Sequence, residues 1–329
     1  MAAYDIVSLG EPLLRFSPPA GQRIDYADSF EVRLAGSQMN IAADAARLGL
    51  KSALLTRLPA NPLGELARRR IFEFGVDVSH IKMVPESRMG ATFVEFGIFP
   101  RMARSMYDRA DSAASGIEAG TFDWEALARE SRVFYSDGIF PALSPGCALA
   151  ALEFFKAGRR NRVRNAFDLN FRRQLWTAEE AGRCWSEILP LIEMVVINRN
   201  VCEEVFGLSG SDRELCEKFA AMFGCEFVAF TSRTGEGRKH GAWHALLLHD
   251  GKFFEGETEY DIVDRYGSGD AWFAGLIRSI LAGKSPEEAV RFANAVLALA
   301  HTTFGDVIQC SAAEAEALAD CGPQKILYR

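Results

Sequence analysis

Residues 261–275 read Asp-Ile-Val-Asp-Arg-Tyr-Gly-Ser-Gly-Asp-Ala-Trp-Phe-Ala-Gly. A short strand-like run ends in a Gly-Ser-Gly turn, and an apolar segment with helical periodicity follows from Asp270 to about Leu281. Glycines let the backbone turn so that neighbouring amides point into one small volume. The first amides of the following helix are unpaired and lie at the positive end of its dipole. The stretch therefore predicts an anion site, for which phosphate is the usual ligand.

A carboxylate, that of Asp270, lies in the first turn of this predicted helix. It would repel a phosphate, but it is well placed to take a proton from a hydroxyl that attacks phosphorus. An ordinary helix cap is the alternative, because Asp is a preferred capping residue and Gly is common in turns. Spacing alone leaves both interpretations open.

The glycine pattern differs from both common nucleotide-binding motifs. A dinucleotide fingerprint requires a third glycine where Phe273 stands, which argues against a dehydrogenase. Residues 283–285 imitate the end of a Walker loop, but Arg278 occupies the place of its first glycine. Gly283 instead suits the C-terminus of a helix, with Pro286 starting the next one.

Several motifs resemble those of one enzyme family. Asp264-Arg-Tyr-Gly-Ser-Gly-Asp270 resembles the Asp-Thr-x-Gly-Ala-Gly-Asp signature of the ribokinase-like (PfkB) carbohydrate kinases. Gly36-Ser-Gln-Met-Asn40-Ile-Ala, followed by Ala-Arg-Leu-Gly at 46–49, is similar to the N-terminal signature of that family. Segments 107–114, 138–145 and 167–176 resemble the 2-keto-3-deoxygluconate kinases within it. The matches fall in the family's order along nearly the whole chain.

The resemblance implies an ATP-dependent sugar kinase that phosphorylates 2-keto-3-deoxy-D-gluconate on its 6-hydroxyl. In that family the last Asp of the signature, here Asp270, is the catalytic base, and the amides of Gly267, Ser268 and Gly269 form the anion hole. Mg²⁺ is expected to arrive with ATP, and a monovalent cation is a further candidate. Fructokinase or another sugar kinase of the family is the alternative. A degenerate relative that binds sugar or nucleotide without catalysis is a third possibility.

Composition argues against other classes of protein. The 329 residues carry a net charge of −7 with scattered basic residues, so we expect neither nucleic acid nor an anionic membrane surface as a partner. Seven cysteines without a Cys-x-x-Cys pair favour reduced thiols in a cytoplasmic protein. No stretch is long and apolar enough to span a bilayer. The five histidines lack metal-ligand spacing, so no metal site made by the protein is predicted.

Strand-like runs alternate with helical ones along the chain. Buried strands are predicted at 6–10, 52–55, 132–136, 163–168, 194–197 and 227–231, and helices at 37–49, 63–74, 145–157 and 178–192. This alternation predicts an α/β fold, with a doubly wound, mostly parallel sheet covered by helices on both faces. We expect one ribokinase-like kinase domain that covers residues 1–329.

Two segments, 22–34 and 90–107, interrupt this rhythm with polar–apolar alternation. They predict a small β-strand lid, formed by segments of about 11–35 and 88–110, that matches the lid over the sugar in the resembled family. A surface meander is the alternative. We also expect a homo-oligomer formed through the lid.

The sugar site is predicted where strands end. Asp168, Asn170 and Arg172 follow a buried strand at alternating positions and can face one pocket. Arg172 could grip a planar carboxylate with paired hydrogen bonds, and a structural ion pair with Asp168 is the alternative. By resemblance, Thr92 occupies a position that often carries a Tyr. The complete predicted substrate set is Gly36, Asn40, Tyr107, Arg109, Asp168, Asn170 and Arg172.

The nucleotide site is predicted from polar and glycine-rich segments. Residues 231–241 follow a strand and replace the compact Gly-x-x-Gly turn of the resembled family; a plain surface loop is the alternative. Asn198 begins a segment that corresponds to Asn-x-x-Glu in the family, but Val201 holds the Glu position. A helix cap in this segment is therefore an equal interpretation. The complete predicted nucleotide set is Asn198, Ser232, Gly235, Gly237, Asp264, Asn294 and Gly305.

Overall fold

The computed structural model describes residues 2–234 and 239–321. Along them the elements follow in the order β1 (Tyr4–Leu9), β2 (Leu13–Ser17), β3 (Glu31–Ala35), α1 (Ser37–Arg47), β4 (Ser52–Leu55), β5 (Arg57–Pro59), α2 (Pro62–Glu73), β6 (Lys82–Val84), β7 (Gly90–Glu95), β8 (Arg104–Asp108), α3 (Trp124–Arg129), β9 (Ser131–Asp137), α4 (Pro145–Arg160) and β10 (Arg164–Asp168). They continue with α5 (Ala178–Ile188), β11 (Met194–Ile197), α6 (Arg199–Phe206), α7 (Asp212–Phe223), β12 (Phe227–Thr234), β13 (His240–His249), β14 (Lys252–Asp261), α8 (Ser268–Leu281), α9 (Pro286–Ala300) and α10 (Ala312–Cys321).

The main sheet has the strand order β14-β13-β12-β11-β10-β9-β1-β4, and it is parallel from β12 to β4. Successive side chains of a strand point to opposite faces. In β1, therefore, Ile6 packs with α1, α8 and α9, whereas Val7 and Leu9 pack with α3, α4 and α5. Each face has its own large apolar core. The predicted doubly wound sheet with helices on both faces is confirmed.

A second sheet, with the order β3-β2-β7-β8, lies against one end of the main sheet, and we call it the lid. Side chains of β2 and β7 alternate between the two faces of the lid. On one face Phe16 stacks on Phe93, with ring centroids 5.2 Å apart. On the other face Arg15 and Thr92 are buried. The predicted lid strands therefore exist. Within 22–34, however, only the last residues form a strand, because Ile24–Tyr26 is a 3₁₀ turn whose first amide donates to Glu95.

Residues 231–241 were predicted to form part of the nucleotide site, with a plain surface loop as the alternative, and for the described residues the loop alternative is wrong. β12 continues to Thr234, and β13 pairs with it antiparallel from Thr234↔Ala242 to Phe227↔His249. β13 and β14 then form a hairpin at the edge of the main sheet. The predicted site residues Gly235 and Gly237 lie outside the described residues.

The residues at which α8 begins and ends, and at which α9 begins, lie close to the positions that the sequence predicted. The helix begins at Ser268, two residues before the predicted start. Gly283 has φ +71° just beyond its end, and Pro286 is the first residue of α9. No described helix is long and apolar enough to cross a membrane.

Candidate active site

A cleft of about 1460 Å³ separates the lid from the carboxyl ends of β10, β11 and β12. Ligands of open α/β sheets collect at such an edge. Thirteen of the predicted site residues line this cleft, namely Gly36, Asn40, Tyr107, Arg109, Asp168, Asn170, Arg172, Asn198, Ser232, Gly267, Ser268, Gly269 and Asp270. The structure therefore brings together most of the side chains and amides that the motifs singled out.

The N-terminus of α8 opens onto this cleft through a glycine turn. Gly267 is the N-cap residue, in the left-handed conformation with φ +76°, and no side chain caps the helix. A Cβ atom on Gly267 would lie 1.9 Å from the carbonyl oxygen of Asp306. Glycine is thus required here both by φ and by space. No side chain caps the first amides of α8 among the described residues, and the anion site at this turn stays a prediction.

Asp270 does not cap the helix; its carboxylate instead bonds to α1. Ser37 Oγ donates to Oδ1 at 2.6 Å, and Asn40 Nδ2 donates to Oδ2 at 2.7 Å. Burial of the carboxylate raises the pKa of Asp270 to about 8, although the hydrogen bonds from Ser37 and Asn40 act to lower it. A carboxylate with a pKa near neutral pH can both accept and release a proton, as a general base must.

The backbone before α1 brings these donors to the cleft. Gly36 has φ +122°, and a Cβ atom there would lie 2.3 Å from the carbonyl oxygen of Glu11. Only glycine allows this close crossing of the two chain segments. The Oδ1 atom of Asn40 and the Oγ1 atom of Thr92 are buried and have no hydrogen-bond partner among the described residues. Both residues line the cleft, so their free acceptors suit a ligand with hydroxyl groups.

Two further carboxylates lie at the ends of neighbouring strands. Asp137, at the end of β9, accepts from the amide of Ile139 at 2.9 Å and from Asn170 Nδ2 at 2.9 Å. Burial, followed by the charge of Asp137, raises the pKa of Asp168 to about 7. Asp137 also accepts from Gln38. The predicted site set omitted Asp137 and Gln38, although the position of Asp137 just after a strand was a usable signal.

Arg172 extends from the end of β10 toward solvent and lines the cleft. Its Nη2 donates to Asn170 Oδ1 at 2.7 Å, and no ion pair joins it to Asp168. Asn170 in turn adopts φ +33°, a left-handed conformation that Asn tolerates better than most residues. Arg172 therefore presents a positive charge at the cleft that forms no ion pair with a carboxylate of residues 2–234 or 239–321.

Arg109, which was included in the predicted substrate set, is not free to bind a carboxylate of the substrate. It is buried and paired with Glu11, whose Oε2 accepts from Arg109 Nε at 2.8 Å. Ser112 donates to the other oxygen of Glu11. Because Glu11 neutralises most of its charge, Arg109 supports the wall of the cleft, with the ring of Tyr107 5.8 Å away. Glu11, which follows β1 in a Gly-Glu-Pro turn, was not among the predicted site residues.

The predicted nucleotide residues divide into two groups. Asn198 caps α6 by accepting from the amide of Val201 at 3.1 Å, so the cap interpretation is confirmed, and Asn198 and Ser232 both line the cleft. The other described members lie outside the lining: Asp264 pairs with Arg15 and accepts from the amide of Gly305, and Asn294 accepts from Trp272. Their contacts with a nucleotide stay a prediction.

Metal binding by protein side chains finds no support in the part of the chain that the structure describes. Among these residues, no three His, Cys, Asp or Glu side chains are grouped to hold an ion. Six cysteines are free thiols, namely Cys147, Cys184, Cys202, Cys216, Cys225 and Cys310.

A buried carboxylate thus lies beside a glycine turn at a helix N-terminus and beneath a β lid, an arrangement that suits phosphoryl transfer to a hydroxyl group. The comparison with known families agrees. Residues 4–312 match the model of the pfkB family of carbohydrate kinases, and the chain belongs to this family.

Its relatives include kinases of sugar acids. The chain is 32% identical over 313 residues to a 2-dehydro-3-deoxygalactonokinase of Haloferax volcanii, covering 95% of each protein. It is 28% identical over 314 residues to a 2-dehydro-3-deoxygluconokinase of Thermoproteus tenax, covering 93% of this chain and 90% of that protein. A solved 2-dehydro-3-deoxygluconokinase of Thermotoga maritima is 32% identical and superposes with a TM-score of 0.92, covering 96% of this chain and 99% of that one. The ribokinase-like fold is thereby confirmed.

Proposed function

We propose that this protein transfers a phosphoryl group from ATP to the 6-hydroxyl of 2-keto-3-deoxy-D-gluconate. The observation that carries the proposal is the Asp270 carboxylate, held by Ser37 and Asn40 beside the amides that begin α8. Membership of the carbohydrate kinases supports the reaction class, and the names of the sugar-acid kinases among the relatives support the substrate class.

In this reaction Asp270 accepts the proton of the attacking hydroxyl. The amides of Gly267, Ser268 and Gly269 stabilise the charge on the transferred group, a role that fixed backbone dipoles fulfil without reorganisation. Arg172 holds the carboxylate end of the sugar, and this contact places the distant hydroxyl in line with the phosphate. Most of the rate gain then comes from positioning and electrostatics.

The nucleotide would lie toward Asn198 and Ser232, which line the same cleft. Mg²⁺ would enter with the ATP phosphates and balance their charge. Since the described residues form no metal cluster of their own, the ion would be held mainly by the nucleotide. A requirement for a monovalent cation stays a prediction.

A second candidate substrate is the epimer 2-keto-3-deoxy-D-galactonate. The two sugar acids named for the relatives differ in configuration only at C4, and the chain is 32% identical to a kinase named for each. The free acceptors of Asn40 and Thr92 could bind a hydroxyl of either epimer. Acceptance of both epimers is therefore part of the proposal.

A coupled assay of ADP release tests the function directly. The panel consists of both epimeric keto acids, fructose, and gluconate. We expect a kcat/KM at least about tenfold higher for the keto acids than for fructose, because fructose lacks the carboxylate and one lost charge-assisted hydrogen bond costs about 1.5–3 kcal/mol. A preference for fructose would identify a ketohexose kinase instead. No ADP release with any sugar would identify a degenerate binding protein.

We further propose a homo-oligomer formed through the lid, which covers the sugar. Apolar side chains are exposed on or beside β8, with exposed fractions of 53% for Ile98, 82% for Phe99, 59% for Met102 and 53% for Met106. Exposed apolar patches of this kind are typical of contact surfaces. Light scattering should therefore give a mass above that of one chain, and a monomer would contradict the proposal. The cytoplasmic location and the lack of a nucleic-acid partner stay predictions.

A further inference from the structure

Arg15 of the lid is buried, with 1% of its surface exposed, although it lies next to the cleft. Its Nη2 donates to Asp264 Oδ2 at 2.7 Å, and its Nη1 donates to Asp306. The guanidinium also packs between two rings, 5.2 Å from the centroid of Phe96 and 4.7 Å from that of Tyr266. Burial of a charged arginine is costly unless it is paired, and these partners fix the guanidinium in one position.

Both carboxylates belong to the loops that surround Gly267. Asp264 lies three residues before it and accepts from the amides of Tyr266 at 3.1 Å and Gly305 at 3.0 Å. The backbone of Asp306 lies against Gly267 so closely that its carbonyl oxygen occupies the space of a Cβ atom. Arg15 thus joins the lid to both sides of the turn that begins α8.

The charges explain why an arginine is needed here. Asp264 and Asp306 would place two negative charges beside amides that must receive a phosphate, and like charges repel. Burial raises the pKa of Asp306 to about 6, and the charge of Arg15 lowers it. For Arg15 itself, burial acts to lower the pKa, but the charges of Asp306 and Asp264 raise it above its usual value. The guanidinium therefore stays charged and offsets the two carboxylates.

We propose that Arg15 is a positioning residue for phosphoryl transfer: from the lid it fixes the two loops around Gly267 and offsets the charge of Asp264 and Asp306, so that the amides of α8 can accept a phosphate. The proposal rests on the kinase function proposed above. It assigns to a lid strand a part in nucleotide handling, in addition to its covering of the sugar.

The first test is Arg15→Lys, with Arg33→Lys as a matched control. An ammonium group cannot bond two diverging carboxylates and stack between two rings, so the lysine variant keeps the charge but loses the geometry. Arg33 is the cross-strand neighbour of Arg15 and donates to the carbonyl of Phe304 on the same loop at 3.0 Å, but its side chain is 30% exposed. Arg33→Lys therefore changes a contact between the lid and the same loop, but one that is partly exposed to water.

For Arg15→Lys we expect kcat to fall roughly tenfold or more and KM for ATP to rise several-fold, while KM for the sugar acid changes little. For Arg33→Lys, both constants should stay within about twofold of the wild type. Wild-type kinetics in a folded Arg15→Lys variant would overturn the proposal. Equal losses in the two variants would also overturn it, because they would show a general requirement for lid contacts.

A second test separates charge from structure. In Arg15→Met the two carboxylates are unbalanced, and adding Asp306→Asn removes one of them. We expect the double variant to recover part of the kcat and ATP affinity that Arg15→Met loses, since the two side chains are coupled. A double variant that is no better than Arg15→Met would overturn the role in charge balance. If Arg15→Met does not fold, the same comparison is made with Arg15→Lys and Arg15→Lys combined with Asp306→Asn.

Calorimetric titration of ATP without sugar keeps the two proposals distinguishable. Weaker ATP binding by Arg15→Lys than by the wild type supports the role of Arg15 even if the sugar was assigned wrongly. Unchanged ATP binding together with unchanged kcat overturns the role of Arg15, while sugar-dependent ADP release by the wild type still supports the kinase.

Discussion

The hydroxyl of Ser37 donates a hydrogen bond of 2.6 Å to Oδ1 of Asp270, across 233 residues of sequence. The bond joins the first turn of α1 to the first turn of α8. Asn40, one turn further along α1, holds the other carboxylate oxygen at 2.7 Å. The two signature segments of the sequence therefore build one feature, in which α1 orients the carboxylate that α8 carries.

Asp270→Asn should abolish turnover while leaving ATP binding nearly intact. The amide has the shape of the carboxylate and can remain beside Ser37 and Asn40, but it cannot accept a proton. We expect kcat to fall on the order of a hundredfold or more. Steady-state kinetics and calorimetric titration of ATP measure the two effects separately.

The matched control is Glu287→Gln, which removes an exposed carboxylate from the first turn of the neighbouring helix α9. Its kcat should equal that of the wild type. If Asp270→Asn keeps a near-normal kcat, Asp270 is not the catalytic base and serves only to join α1 to α8.

The rate should increase with pH on the acid side of its profile. Burial raises the pKa of Asp270 to about 8, and the carboxylate must lose its proton before it can act as a base. We therefore expect kcat/KM to rise through pH values near 8. Ser37→Ala removes a hydrogen bond that lowers this pKa, so its profile should shift to higher pH. An unchanged profile in Ser37→Ala would contradict this assignment.

The raised pKa of Asp270 also predicts how stability depends on pH. In the unfolded chain a carboxyl titrates near its ordinary value, about 4. The protonated group therefore favours the folded state fully below that value, and this contribution is lost as pH rises through about 8. Asp270→Asn should accordingly lose less stability than the wild type between pH 5 and 8 in denaturant titrations. Parallel curves for the two proteins would contradict the raised pKa.

Gly267→Ala should damage both the fold of the turn and catalysis. A side chain at φ +76° costs about 1–2 kcal/mol, and the Cβ atom would collide with the carbonyl oxygen of Asp306. Gly283→Ala is the control, because Gly283 has φ +71° and a Cβ atom there meets nothing within 4 Å. It should lose stability by the conformational cost alone and keep its kcat.

Thermal unfolding beside kinetics separates these effects. Gly267→Ala should show the larger fall in melting temperature and a fall in kcat on the order of tenfold or more, since the displaced amides no longer face the phosphate. Equal activity in the two folded variants would show that no anion is held at this turn.

Local patterns predicted much of the fold, because they arise from neighbouring residues. The strands at 52–55 and 194–197 and the Pro286 start of α9 were predicted at their observed bounds. The β13–β14 hairpin was missed, although Asp250-Gly251 is a two-residue turn of the kind that joins antiparallel strands. The pairing of β13 with β12, by contrast, crosses residues 231–241, whose polar and glycine-rich composition is typical of a loop.

The site was predicted less completely than the fold, because partners distant in sequence decide which charges are free. Arg109 and Arg172 are both arginines in segments predicted to face the sugar, and the sequence does not distinguish them. In the structure Glu11 pairs with Arg109 and not with Arg172. Asp264 fits a family signature, but its partner Arg15 comes from a strand 249 residues away. No spacing within one segment could reveal these pairs.

Arg172→Ala should raise KM for a keto sugar acid far more than KM for ATP. Arg172 lines the cleft and forms no ion pair with a carboxylate in the part of the chain that the structure describes, so a substrate carboxylate can take this place. Loss of a charged hydrogen bond costs about 1.5–3 kcal/mol, or a roughly 10- to 100-fold higher KM. Arg172→Lys should recover only part of this, because an ammonium lacks the planar fork. Arg173→Ala is the control, since Arg173 is adjacent and exposed and pairs with Glu204.

Substrates and stability together separate the remaining interpretations of Arg172. If the enzyme acts on a neutral ketohexose, both Arg172 variants should leave KM for fructose nearly unchanged, and the sugar-acid assignment fails. If Arg172 is instead a structural partner of Asp168, then Arg172→Ala and Asp168→Ala should each lower the melting temperature, and the double variant should show strong coupling. We expect weak coupling, because Arg172 Nη2 donates to Asn170 Oδ1 at 2.7 Å and does not bond to Asp168. Asp168 Oδ1 instead accepts from the backbone amide of Asn170 at 2.9 Å. Kinetics on both keto acids, fructose and gluconate, with melting curves for the same variants, therefore decide whether Arg172 binds the substrate carboxylate.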